Sequence, residues 1–226
     1  MERSYFAEAA KITIPVLFGY TAIGIPFGLM IVNAGYPVWI APVMSITMYA
    51  GAGQYVAVGL FASGAPLGAI AFTELLVNIR HIVYGLSLIS RFKNVGAWKP
   101  YLIFALTDET YSLLCQAGET EPDQYYFWIS FLDYSYWITG SILGAFLGGI
   151  LPIDTKGIDF VLTALFLTIF TEQWLTVKNH VSALVGIGAS VLCLLTLGSQ
   201  KFLIPAMLLI AALLIGLRQK EGITNE

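Results

Sequence analysis

The chain has 226 residues, of which 58% are hydrophobic and only 11% charged, with a net charge of −3 and a mean hydropathy of +0.78. These values lie outside the soluble globular range and identify an all-α polytopic membrane protein. No basic cluster offers a surface to nucleic acid, and no polar block is large enough for a separate soluble domain, so residues 1–226 read as one transmembrane domain.

The first apolar element spans about 12–33, and no short leader pattern precedes it, so it reads as a retained helix. It contains Gly24-x-x-x-Gly28. The second, about 38–62, holds Met48-Tyr-Ala-Gly-Ala-Gly-Gln-Tyr55, where glycines and a glutamine interrupt the pattern at membrane depth. The Gly51 to Gln54 backbone there can present N–H groups to a carboxylate as helix N-termini do, with the Gln54 amide adding a donor and an acceptor. Close helix packing is the alternative use of those glycines. The third element, about 67–89, carries Glu74, Asn78 and His81 at i, i+4 and i+7, hence on one face. Arg80 points elsewhere and reads as snorkelling to head groups. Glu74 and His81 are candidate proton carriers, although His81 also suits a hydrogen-bonded structural role.

The fourth element, about 100–117, places Asp108 and Glu109 mid-span, where adjacent carboxylates need protonation, a cation or strong donors. Both are candidates for binding an ammonium group or carrying a proton. The fifth, about 126–149, contains Gly140-x-x-x-Gly144; its Asp133 reads as interfacial, and Tyr125, Tyr126, Trp128, Tyr134, Tyr136 and Trp137 read as an aromatic belt. The sixth, about 158–176, ends in Phe170-Thr-Glu-Gln-Trp174, and about 180–197 and 202–217 complete the set. Cys115 and Cys193 read as packing residues, and without paired histidines no metal site is expected.

The glycine motifs, each followed by Gln54 or Gln173, suggest an internal repeat of 12–117 and 126–217. If elements two and six are re-entrant or broken, all loop Lys and Arg except Lys201 fall on one side, opposite the acidic 119–123 loop. That topology has six crossings, both termini cytoplasmic, and halves inverted in the membrane.

Gly24-Ile-Pro-Phe-Gly28, Tyr49-Ala-Gly-Ala-Gly-Gln54, Asn78-Ile-Arg-His81 with Tyr84, and Thr107-Asp-Glu-Thr110 resemble, in this order, the AzlC-type branched-chain amino acid permeases. The resemblance covers nearly the whole chain. It implies a bacterial inner-membrane exporter of valine, leucine and isoleucine, and often methionine, working with a small AzlD-type membrane subunit. No cofactor, nucleotide-binding motif or enzymatic nucleophile is expected, and homo-oligomers are compatible with the pattern. The expected substrate contacts are Gly51, Gly53, Gln54, Asn78, Asp108, Glu109 and Gln173, within an alternating-access cycle coupled to the proton motive force. A channel-like pore for a small polar solute or ion and a structural subunit of a membrane complex are the alternatives.

Overall fold

The computed structural model describes residues 4–93, 95–117, 121–151, 159–176, 180–198 and 202–224. The described residues are helical apart from short connections and contain no strand. An apolar chain in lipid must close its backbone hydrogen bonds within each segment, which a helix does. In chain order the helices are α1 (Tyr5–Ile12), α2 (Ile14–Asn33), α3 (Ile40–Thr47), α4 (Gly51–Ala62), α5 (Leu67–Ser87), α6 (Lys99–Phe104), α7 (Asp108–Gln116), α8 (Asp123–Ile150), α9 (Asp159–Thr176), α10 (Val181–Leu197) and α11 (Leu203–Thr224). Short 3-10 turns at Arg91–Lys93 and Gly96–Trp98 link α5 to α6. By themselves, α2 and α5 are long and apolar enough to cross a bilayer.

The chain divides into two compact units, Met1–Leu162 and Thr163–Glu226. In the second, α10 packs along α11. The first unit is organised by α2 and α8, whose glycine motifs meet each other. A Cβ on Gly24 would touch Gly140 and the Ser141 backbone nitrogen, at 3.2 Å from the latter. A Cβ on Gly28 would run into the Ser141 carbonyl and the Ala145 nitrogen, and one on Gly144 into the Ile25 carbonyl. The glycines therefore let two helix backbones touch, the usual way apolar helices associate where burial from water gives no advantage.

Beside this contact, Gln54 is wholly buried, and Trp137 Nε1 donates to its Oε1 at 2.7 Å. Its Nε2 donates to Ser45 Oγ at 3.1 Å; Ser45 donates on to Ser141 Oγ at 2.8 Å, and Ser141 to the Trp137 carbonyl at 2.8 Å. This polar knot ties α3, α4 and α8 together without leaving a buried dipole unpaired.

The second element is broken as expected, at Met48–Ala50 between α3 and α4. Its pivot is Tyr49, buried to 2% exposure with φ of +41°. A bulky residue held in the left-handed region costs on the order of 1–3 kcal/mol, so the surrounding packing imposes this bend. The glycines are not unwound, because Gly51 and Gly53 form the first turn of α4.

Three expectations need correction. The sixth element is not broken: α9 runs continuously through Phe170–Trp174, and no glycine or proline interrupts residues 159–176. The break falls instead in the fourth element, where Ala105–Thr107 separates α6 from α7. Thr107 Oγ1 accepts from the Thr110 N–H at 3.2 Å, an N-cap that starts a new helix with Asp108 and Glu109 in its first turn. At the other end of α7, the Arg91 guanidinium donates to the carbonyls of Leu114 and, at 3.0 Å, Ala117. Finally, the aromatic residues of α8 do not form a uniform belt, since Tyr125, Tyr126 and Trp137 are buried. Cys193 is buried but Cys115 is exposed, and both are free thiols.

Arg3, Lys156, Lys178, Lys201 and residues 118–120, used above for orientation, lie outside the described residues, as do the side chains of Arg218 and Lys220. The same holds for the side chain of Gln173 on α9 and hence for its matching to Gln54.

Candidate functional site

The first unit concentrates its ionisable side chains around the starts of α4 and α7 and the face of α5 between them. The α4 N-terminus has no side-chain cap. Facing it, Asn78 Nδ2 donates to Glu74 Oε2 and to the Glu74 carbonyl, both at 3.0 Å. Gly53 lies so close to this pair that a Cβ would be 2.6 Å from Asn78 Nδ2 and would collide with Glu74 Oε2. Glu74 Oε1 and Asn78 Oδ1 are buried without a hydrogen-bond partner. Gly51 rests instead against the indole of Trp137, at 3.0 Å from a built Cβ. The glycines thus combine both sequence readings: they allow close approach, and what approaches is a polar pair.

Two residues past Asn78 on α5, Arg80 forms an ion pair with Asp108, at 3.1 Å from Nη2 to Oδ2. The Tyr84 hydroxyl donates to Asp108 Oδ1 at 2.7 Å. Arg80 therefore does not snorkel away from the site; it closes on a carboxylate of α7. Tyr84 is stacked on Tyr111, with centroids 4.3 Å apart, and His81 lies 5.8 Å from the Tyr84 ring. Asp108, the candidate ammonium ligand, is thus held by a cation and a phenol in this conformation.

Glu109, adjacent in sequence, turns toward α2. Tyr20 OH is 2.8 Å from Glu109 Oε2 and 2.6 Å from Thr107 Oγ1. Thr107 Oγ1 is 3.0 Å from Thr110 Oγ1, and Thr110 donates to Asp133 Oδ2 at 2.9 Å. Asp133 is 0% exposed, which overturns its reading as an interfacial residue. It lies one helical turn before Trp137 on the inward stripe of α8. A carboxylate within an apolar run was the available signal, and its position near the end of the element outweighed it.

Of the sequence candidates, the structure brings Gly53 to Glu74 and Asn78, and Asp108 next to Glu109 with Arg80 between α5 and α7. It places Gln54 in the α3–α4–α8 polar knot, with both ends of its amide engaged. Tyr20, Thr107, Thr110 and Asp133 are members that the sequence reading did not single out as site residues. Among the described residues no group of His, Cys, Asp and Glu is arranged to hold a metal ion.

An all-helical, apolar chain with an internal polar site between broken helices has the build of a membrane transport protein. The chain belongs to the AzlC family: the family described as AzlC protein matches residues 15–151, a segment that includes every side chain of the clusters above. It is 37% identical to the branched-chain amino acid transport protein AzlC of Bacillus subtilis, over 95% of this chain and 85% of that one. It is 42% identical to a protein of Helicobacter pylori named only as a membrane protein, with 96% of each chain covered. It is 30% identical to the Escherichia coli inner membrane protein YgaZ, over 72% of this chain and 71% of that one. No solved structure matches.

Proposed function

We propose that this chain is a secondary transporter that exports branched-chain amino acids, valine, leucine and isoleucine with methionine as a further substrate, by alternating access. The observation that carries this reading is the meeting of an uncapped helix start, at Gly51–Gly53, with α5, which through Arg80 and Tyr84 also reaches Asp108, the first of the two carboxylates opening α7. A zwitterion needs both: N–H groups for its carboxylate and carboxylates for its ammonium. Its hydrocarbon side chain then needs only the apolar helix faces that make up the rest of the chain.

In this mechanism the substrate ammonium competes with Arg80 for Asp108. Loading would release Arg80 and Tyr84 from that carboxylate and so alter the α5–α7 contact, a differential interaction of the kind that shifts an equilibrium between two states. Glu74, His81 and Glu109 serve proton coupling, with the proton motive force driving export. The chain would sit in the bacterial inner membrane with both termini cytoplasmic and work with a small AzlD-type membrane subunit. The kinship with the Bacillus subtilis branched-chain amino acid transport protein supports the substrate class.

Cells loaded with a leucine- or valine-containing dipeptide provide the test. Expression of the chain with its small partner is expected to accelerate efflux of the released amino acid, and an uncoupler is expected to abolish the acceleration. Asp108→Asn and Glu109→Gln should each lose at least about tenfold in rate, corresponding to about 1.4 kcal/mol of lost interaction. Full uncoupler-sensitive efflux in both variants would remove the carboxylates from the mechanism.

A further inference from the structure

The oxygens joining Glu109 to Asp133 form a continuous series across three helices. It runs from Glu109 Oε2 to Tyr20 OH at 2.8 Å, to Thr107 Oγ1 at 2.6 Å, to Thr110 Oγ1 at 3.0 Å and to Asp133 Oδ2 at 2.9 Å. These are four contacts at hydrogen-bond distance, but Tyr20, Thr107 and Thr110 bring only three hydroxyl hydrogens. With both carboxyls ionised, one pair of oxygens would face each other with no hydrogen between them. The Thr110 N–H does not fill the gap, because it occupies a separate lone pair of Thr107 Oγ1.

One further hydrogen completes the series, and only the two carboxyls can carry it. If it sits on Glu109, that carboxyl donates to Tyr20, Tyr20 to Thr107, Thr107 to Thr110, and Thr110 to an ionised Asp133. If it sits on Asp133, every bond reverses and the series ends on an ionised Glu109. The two arrangements contain the same atoms and the same number of hydrogen bonds.

We propose that Glu109 and Asp133 share a single proton, passed between α7 and α8 through Tyr20, Thr107 and Thr110. In the transfer Glu109 gives its proton to Tyr20, each hydroxyl hands its own hydrogen to the next oxygen, and the last reaches Asp133. No hydroxyl changes its proton count, while the negative charge moves from Asp133 to Glu109. The inference deepens the transport reading, and in its coupling role rests on it, because it gives the proton two resting places on different helices.

The surroundings fit such a relay. Tyr49 and Tyr101 face Asp133, Tyr49 also lying beside Tyr20 and Thr110, and Asp108 and Arg80 face Glu109. The charge of Arg80 is already matched by Asp108, so it supplies no full counter-charge to the shared site. Asp133 Oδ1 and the Tyr101 hydroxyl are buried without hydrogen-bond partners, so the series ends at Asp133 in this conformation.

The test is infrared spectroscopy of the purified full-length chain in lipid nanodiscs, with aspartate or glutamate carboxyl groups carbon-13 labelled in turn. Wild type should show one protonated carboxyl from this pair, divided between the two labels. Tyr20→Phe cuts the series beside Glu109 and should move the whole signal to the glutamate label. Thr110→Val cuts it beside Asp133 and should move the whole signal to the aspartate label. Both variants keep both carboxyls and nearly the original side-chain volumes. In wild type, Glu109→Gln or Asp133→Asn alone should eliminate the signal, because either amide supplies the missing hydrogen, and the double variant should lose no more than either single one. Two protonated carboxyls in wild type, or a label assignment unmoved by either cut, would overturn the shared proton. Amino acid flux does not enter this readout, so failure of the transport reading would show separately, as wild-type efflux no faster than that of control cells.

Discussion

Gly144→Leu is expected to abolish accumulation of the folded chain, and Gly28→Leu to do the same. At both positions the first side-chain atom would collide with backbone: the Ile25 carbonyl for Gly144, and the Ser141 carbonyl and Ala145 nitrogen for Gly28. A colliding side chain can rotate aside, but a helix backbone cannot, so α2 and α8 would have to separate along their length. Overpacking a core ordinarily costs about 1–3 kcal/mol. Here the whole interface opens, and the cost should exceed that range, comparable to the entire stability of many domains. Function fails with the fold, since Tyr20 lies one turn before Gly24 on α2, and Asp133 precedes Gly140 by two turns on α8. Gly19→Ala on the same α2 is the control: nothing lies within 4 Å of its added Cβ, and stability should change by no more than about 1 kcal/mol. The yield of folded chain, read as the monodisperse peak in detergent extracts, measures all three, and thermal loss of that peak compares Gly19→Ala with wild type.

Arg80→Met should lower transport at least about tenfold, and the loss should not be recovered by also neutralising its partner. The guanidinium and Asp108 are 3.1 Å apart, with 30% and 29% of their side-chain surfaces exposed. Solvent screening therefore limits the pair's direct contribution to stability to about 1 kcal/mol or less. Removing one charge still leaves the other at a partly buried helix junction without its counter-charge. Asp108→Asn/Arg80→Met should accordingly be no less stable than either single variant, with a coupling energy of about 0.2–1 kcal/mol. Flux should stay low in all three, because the double variant restores neutrality but not the carboxylate proposed to take the substrate ammonium. A double variant that transports like wild type would make the pair a structural brace only.

Much of the fold was legible because lipid permits few solutions. The apolar runs located the helices, and the glycines with Gln54 located the first break to within a few residues. The second break was missed for a definite reason. Thr107-Asp-Glu-Thr110 is an N-cap followed by acidic residues, a helix-start signal, but it lies inside a run whose length alone suggested one continuous span. The sixth element illustrates the opposite error, in which matching Gln173 to Gln54 suggested a break where no glycine or proline weakens the helix. The glycine motifs, which the spacing pairs as a repeat, form two halves of one contact in the structure.

The candidate site was half legible for a related reason. Glu74 with Asn78, and Asp108 with Arg80, are visible as charges in apolar sequence, and spacing on α5 or adjacency on α7 brings their partners to mind. Tyr20 and Thr107 are ordinary residues of a membrane helix in sequence, and only the approach of α2 to the start of α7 makes them links between carboxyls. Asp133 carried its signal openly. Its depth on α8 depends on tertiary packing, which charge counting along the chain does not encode.

Transport in liposomes containing the purified chain, with and without the proposed AzlD-type subunit, tests the central claim most directly. Labelled leucine should enter saturably, and faster when unlabelled leucine is already present on the far side, as alternation between two exposures of one site requires. An imposed proton gradient should drive its accumulation above equilibrium. Leucine entry no faster than in empty liposomes, or entry that rises linearly with concentration and ignores leucine on the far side, would contradict the account.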